Sequence, residues 1–314
     1  EDIINFTNGL LDIKTFELKK HNPGYLSTVR INAEWTGKDS ETPVFDAFMN
    51  DISGGREEIK LLLLEYMGAC LSNIPGYRFK KALFQVGPGN VGKTQLMNLT
   101  KMLLGKEACA SVTFSELESN RFATSGLYGK RLAGCSDLSV LPLNDISVFK
   151  MLTGGDEISA EFKGKARFSF VYRGMLWFCT NKLPKFGGDN GQWVFDRMLI
   201  VPCENVIPPE KRDKRLIEKM YAEKDGIIFK AVMALSAAVK RGYEFTNPME
   251  SMKAQSDTLT ENDHYLRFYT ECCTLRADEK PPTDRCTTGF IYEYYKKWCL
   301  DNLEAKPLSR TEFK

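Results

Sequence analysis

The chain has 314 residues, 43% apolar and 27% charged, enough for one large or two to three small globular domains. A net charge of +2 excludes polyanion binding through a global field, so any nucleic-acid contact has to come from a local basic feature. No apolar run has the length of a membrane span; nine scattered cysteines without C-x-x-C spacing, and two histidines far from them, point away from a zinc site or disulfide framework and toward a reducing cytoplasm. The chain opens at Glu1 with no initiator Met and no leader-like segment, as an excised piece of a longer protein does.

Residues 1 to about 41 read as short strands and turns: Asn8-Gly9 before Leu10-Leu11, a turn at Asn22-Pro23-Gly24, then alternation from Leu26 to Ile31. From Pro43 to about Leu71 the apolar spacing becomes helical, through Phe45, Phe48, Met49 and Ile52, then Ile59, Leu62, Leu63, Tyr66 and Met67. The strongest local signal follows. The apolar run Ala82-Leu83-Phe84-Gln85-Val86 feeds Gly87-Pro88-Gly89-Asn90-Val91-Gly92-Lys93-Thr94, and a helical pattern of Leu96, Leu99 and Leu103 stops at Gly105. Strand, G-x-x-x-x-G-K-T loop and helix are the context of a phosphate-cradling P-loop, which predicts a nucleoside triphosphate as ligand. In that reading the loop's backbone N–H groups hold the phosphates, Lys93 reaches the β- and γ-phosphates, and the Thr94 hydroxyl holds Mg²⁺.

Downstream, Arg131-Leu132-Ala133-Gly134-Cys135-Ser136-Asp137 reads as a buried strand ending in an acid that holds Mg²⁺ through water, although Ala and Gly are poor strand formers and a turn-adjacent Asp is the plainer reading. Leu152-Thr153-Gly154-Gly155-Asp156 is followed by a β-hairpin with Lys163 and Lys165 at a Gly-centred tip, or simply a solvated turn. Met175 to Cys179 has the continuous apolarity of a central parallel strand. It ends in Thr180-Asn181, where the amide is placed to position water at the γ-phosphate or to cap the turn before Pro184. Asp196-Arg197 precedes the strand Met198 to Val201; that Arg either neutralises charge on a neighbour's ATP or pairs at the surface. Asn181-Lys182-Leu183-Pro184 imitates a GTPase base-recognition motif, but Pro184 stands where an Asp is required and no D-x-x-G follows the P-loop. Residues 208 to 245 are again helical, 251 to 262 read as a polar linker, and a small helical module starts near Asp263. Ser309-Arg310-Thr311-Glu312 is a capping-box pattern opening a helix.

The ordered set of P-loop, acid-ended strand, L-T-G-G-D with a lysine-tipped hairpin, T-N-ended strand and D-R loop resembles a superfamily 3 (AAA+) helicase of the phage, plasmid and poxvirus primase–helicase type. Asn8 to Asp12, Lys14-Thr15 and His21-Asn22-Pro23 resemble the segment before the motor in that family. Ile291 to Cys299 and Pro307 to Arg310 resemble its winged-helix tail. The resemblance implies an α/β fold: a P-loop NTPase (AAA+-like) core with a central parallel sheet, preceded by a mixed strand and helical segment and followed by a partial winged-helix module. The domains expected are 1–75, with a helical collar for oligomerisation over 43–75, then 76–250 as ATPase core and 251–314 as linker and winged-helix-like module.

Carried over by position, the resemblance makes Lys93 and Thr94 the P-loop Lys and metal ligand, Asp137 the acid of the second motif, Asn181 the first sensor and Arg197 an arginine finger acting in trans. Lys163 and Lys165 become the cations that grip a DNA backbone. Two departures stand out. Ser136 precedes Asp137 where many relatives pair two acids, and Gly164 follows Lys163 where viral relatives carry a histidine. The implied function is an ATP- and Mg²⁺-dependent, ring-forming DNA helicase, hexameric, acting on single-stranded or forked DNA, with a primase domain upstream and no membrane contact. The alternative is a non-processive AAA+ switch acting as replication initiator or loader.

Overall fold

The computed structural model describes residues 2–120, 122–138, 146–186, 192–273, 286–302 and 307–313. Two compact units divide the chain, Glu1–Gln255 and Ser256–Lys314. The boundary expected at 75/76 therefore falls inside the first unit, because the N-terminal helices pack into the sheet's core rather than beside it.

The first unit opens with an antiparallel sheet of β1 (Ile3–Phe6), β2 (Gly9–Asp12) and β3 (Leu18–Lys19). Thr7-Asn8 make the first turn, and Gly9 opens β2 opposite Phe6, one residue off the Asn8-Gly9 signal in the sequence. The alternating segment 26–31 forms no strand. Leu26 is left-handed (φ 51°) and 82% exposed, and two main-chain bonds, Ile31 N to Asn5 O and Thr7 N to Ala33 O, are the contacts that lay this stretch along β1. Alternation alone does not make a strand where the backbone cannot stay extended.

α1 (Pro43–Ser53) starts with Pro at its first turn and ends at left-handed Gly54. Its orphan N–H groups at Val44 and Phe45 are taken by the Glu223 carboxylate at 3.0 and 2.9 Å. α2 (Glu57–Leu71) is buried along nearly its whole length. Much of the helical segment expected as a subunit collar is thus spent on this chain's own core.

The central sheet is five-stranded and parallel in the order β10 (Met198–Pro202), β4 (Ala82–Val86), β9 (Met175–Thr180), β6 (Leu132–Gly134), β5 (Cys109–Ser111). β9 is buried at every residue, as a central parallel strand demands. Leu83, Trp177, Leu199 and Val201 join the core with α2, α3 (Lys93–Leu104) and α8 (Lys224–Lys240). Phe84 and Phe178 instead pack against Phe114 of α4 (Phe114–Ser119), and Phe84 meets Phe149 of α5 (Ser147–Gly154) edge-on. Tyr66 ties α2 to the sheet: its buried hydroxyl donates to Leu176 O at 2.5 Å and accepts from Leu83 N at 3.1 Å. Burial raises its pKa well above the usual phenol value.

β6 is a strand in spite of its Ala-Gly content because Gly134 is required there. At φ 147°, a Cβ at this position would lie 1.8 Å from Trp177 O of the neighbouring strand. Arg131, just before β6, is fully buried and donates to Arg173 O, Ala69 O and Ile74 O. Burial lowers its pKa to about 10. Three carbonyls, one from the last turn of α2, replace a carboxylate partner.

β7 (Glu157–Ala160) and β8 (Phe168–Val171) form the hairpin expected after L-T-G-G-D, paired from Glu157↔Val171 to Ala160↔Phe168. α6 (Gln192–Phe195) leads to β10, and α7 (Leu216–Ala222) precedes α8. The stretch expected as a linker is helical: α9 spans Met249–Asn262, with Ser251 buried. Its polar composition belongs to a mostly solvent-facing helix.

In the second unit, Asp263 caps α10 (His264–Cys272) and Thr287 caps α11 (Thr288–Asp301). Phe268, Tyr295, Trp298, Cys299 and Phe313 form its own core. The Ser309–Glu312 capping box is reciprocal, but it closes a turn there, not a helix of any length. Strands of a wing are not among the described residues. Among them, too, no helix is long and apolar enough to cross a membrane, and all nine cysteines are free thiols.

Candidate nucleotide-binding site

β4, β9 and β6 are adjacent and parallel, so their carboxyl ends meet at one edge of the sheet, where open α/β sheets place ligands. β4 runs into the loop 87–92. Gly87 N donates to Thr180 O at 3.2 Å, tying the loop's start to the end of β9, and Ile207 N donates to Asn90 O at 3.0 Å from the far side. Asn90 (φ 64°) and Gly92 (φ 96°) are left-handed, the kind of conformation in which successive N–H groups form an anion-binding concavity. Gly92 is also spatially required: a Cβ there would sit 2.8 Å from the Phe48 ring of α1.

Lys93 opens α3 and is 7% exposed. Its Nζ donates to the loop's own carbonyls, Gly87 O at 2.5 Å and Pro88 O at 2.6 Å. Burial lowers its pKa, and nearby groups including Asp137 pull it back up. Beneath the loop the floor is buried and neutral. Trp177 Nε1 donates to Gln85 Oε1 at 2.9 Å, and burial pushes the Cys179 and Cys203 thiols up to about 12. Asp137 lines the same cleft, and its charge favours the protonated ammonium.

β6 ends three residues before that acid, and long-range bonds cover the gap. Cys179 N donates to Cys135 O at 2.9 Å, Leu138 N to Cys179 O at 3.0 Å, and Thr180 Oγ1 to Leu138 O at 3.2 Å. The segment 135–138 is thereby stitched to β9, and Asp137 faces the same cleft as Asn181, which follows β9 directly. This cleft, of about 880 Å³, is lined by Gly89 to Gln95, including Thr94, by Ser136, Asp137 and Asn181, and by two elements the motifs did not reveal. One is α1, through Pro43, Val44, Ala47, Phe48 and Asp51; the other is the segment after β10, through Ile207, Lys211, Arg212, Asp213 and Leu216. The charge-dense run Glu210 to Arg215 was the available signal for the second. α1 carried none beyond its amphipathicity.

The residues present suit a triphosphate with Mg²⁺: a left-handed loop at a helix start, a buried ammonium bonded to two loop carbonyls, and a hydroxyl and a carboxylate lining the same space.

Arg197 lies elsewhere. It precedes β10, whose Met198 pairs with Ala82 at the start of β4, so it stands at the opposite end of the sheet from the P-loop, about 20 Å from the loop's first residue along the strand at 3.3 Å per residue. Its Nη1 donates to Thr153 Oγ1 at 3.0 Å and Lys150 O at 3.3 Å at the end of α5. Lys163 and Lys165 sit at the exposed hairpin tip around Gly164, outside the cleft.

Two family models match the chain: "D5 N terminal like" over residues 1–54 and a family of unknown function, DUF5906, over residues 85–197. Among solved structures, the A-form apo structure of the NrS-1 C-terminal region superposes with a TM-score of 0.53 at 14% identity, over 82% of this chain and 58% of that one. An apo structure of NrS-1 C-terminal region 305–718 gives 0.47 at 13% identity, over 86% of this chain and 64% of that one. At these identities the likeness is one of fold, and the chain spans less than two thirds of those structures.

Proposed function

We propose that this chain, a member of the phage-type primase–helicase family by its family matches and fold, is an ATP-driven motor that assembles into a ring, a hexamer by family analogy, and moves along single-stranded DNA. One observation carries the reading. The loop with Lys93, Asp137 and Asn181 share a cleft at the carboxyl edge of the sheet, while Arg197 lies at the other end, out of reach of its own P-loop, which supports a role at a neighbour's. ATP is the substrate; the 87–94 loop binds its phosphates, and Val44, Phe48, Ile207 and Leu216 offer apolar walls to the rest of it. Mg²⁺, held through Thr94 and through Asp137, supplies neutralisation of phosphate charge when bound. Lys93 exchanges its two carbonyl partners for phosphate oxygens. Asn181 orients the attacking water, Asp137 favours its loss of a proton, and Arg197 of the next subunit offsets developing charge. Lys163 and Lys165 hold the strand by its phosphates, which suits a motor that passes any sequence.

Forked DNA with one labelled strand tests this. ATP-dependent release of that strand supports the motor. Hydrolysis without release favours the switch that loads or initiates.

A further inference from the structure

The hairpin carries more than its two lysines. Phe162, Phe168 and Phe170 form a continuous stack, with centroids 5.2 Å apart at 16° and then 5.8 Å apart at 24°. Tyr128 meets both Phe168 and Phe170 edge-on at 5.3 Å. The strand register explains the inner part of this row: Phe168 and Phe170 pair with Ala160 and Ile158, on the face turned to residues 123–128, where Thr124 Oγ1 also bonds Ser159 O at 2.9 Å. Those two rings fasten the hairpin. The outer parts of Phe162 and Tyr128 are left over from that task. Phe162 is 40% exposed beside the tip, and Tyr128 is 56% exposed.

Large exposed rings on a tip that needs only turn residues cost solvation unless something covers them. The surrounding charge identifies what. Lys165 Nζ lies 5.9 Å from the Phe162 centroid, Lys163 is adjacent, and Arg167, with a 71% exposed side chain, pairs with Glu161 at 3.5 Å. Cations interleaved with ring faces match a polyanion that carries π-faces, and mismatch an apolar protein surface.

We propose that Phe162 and Tyr128 stack on bases of a single strand whose phosphates Lys163 and Lys165 hold. This rests on the motor reading and adds to it a base contact that is blind to sequence, since every base has a ring face.

The test is fluorescence anisotropy of the whole chain with a labelled oligothymidylate and with an abasic deoxyribose-phosphate oligomer of equal length, over a salt series. Wild type should bind the oligothymidylate about tenfold more tightly. Phe162→Ala should reduce that preference severalfold while the affinity for the abasic oligomer and the salt slope stay as they were; Phe162→Trp should keep it, and Tyr128→Ala should also reduce it. Equal binding of both oligomers by wild type, or an equal loss on both in Phe162→Ala, overturns base stacking and leaves the motor reading standing. Binding of neither oligomer overturns both.

Discussion

Lys93 donates to two carbonyls of its own loop above a neutral floor, so its charge is only partly balanced until phosphate arrives. Lys93→Ala should lower ATP turnover on the order of 100-fold or more while the fold, read by circular dichroism, is retained; turnover near wild type would end the P-loop assignment. Tyr66 makes a different kind of demand. Tyr66→Phe leaves Leu176 O and Leu83 N buried without the hydroxyl they share, and should cost about 1–3 kcal/mol in urea unfolding. No change in the midpoint would show that this bridge is dispensable. The P-loop residues were legible because their signal is local, a strand, a loop and a helix in sequence. Asp137 was legible only by pattern, since what brings it to Lys93 is a set of bonds from β9, some forty residues later in the chain. Arg131 and Glu65 are both buried, the first on carbonyls of distant segments and the second against Arg241 and Thr246. Neither set of partners is visible in a window of sequence.

Elements were legible where one force decided them. β9 and α3 follow from continuous and periodic apolarity. β6 looked weak because Ala-Gly lowers strand propensity, but close approach to Trp177 O selects glycine at position 134. Segment 26–31 erred the other way, alternating without an extended backbone, and 251–262 hid a helix behind polar composition. The hairpin was found from its turn and its lysines; its aromatic row emerged only once the register put Phe168 and Phe170 on one face. If the tip lysines hold phosphates, Lys163→Ala and Lys165→Ala should each reduce the slope of log affinity against log salt by about 0.7 for single strands. An unchanged slope would return the tip to an ordinary solvated turn.

The whole assembly is where the arrangement of one chain makes its sharpest demand. Arg197 is anchored to the end of α5, and α5 runs through Gly155 and Asp156 into β7, so the proposed finger and the hairpin proposed to hold DNA hang from one helix. A finger that senses a neighbour's nucleotide through this helix would pass its movement straight to the hairpin. A finger at this position cannot serve its own P-loop from the opposite end of the sheet, so on the proposed reading each active site takes two chains. Arg197→Ala alone should lose about 10³-fold or more of ATP turnover. An Arg197→Ala chain still offers an intact P-loop, and a Lys93→Ala chain an intact finger. Mixed in equal amounts, the two inactive variants should regain about a quarter of wild-type turnover, because in a head-to-tail ring about one interface in four pairs the good loop with the good finger. Turnover that stays at the level of the separate variants would place Arg197 outside the catalytic interface, and would leave its bonds to Thr153 and Lys150 as a purely internal tie between β10 and α5.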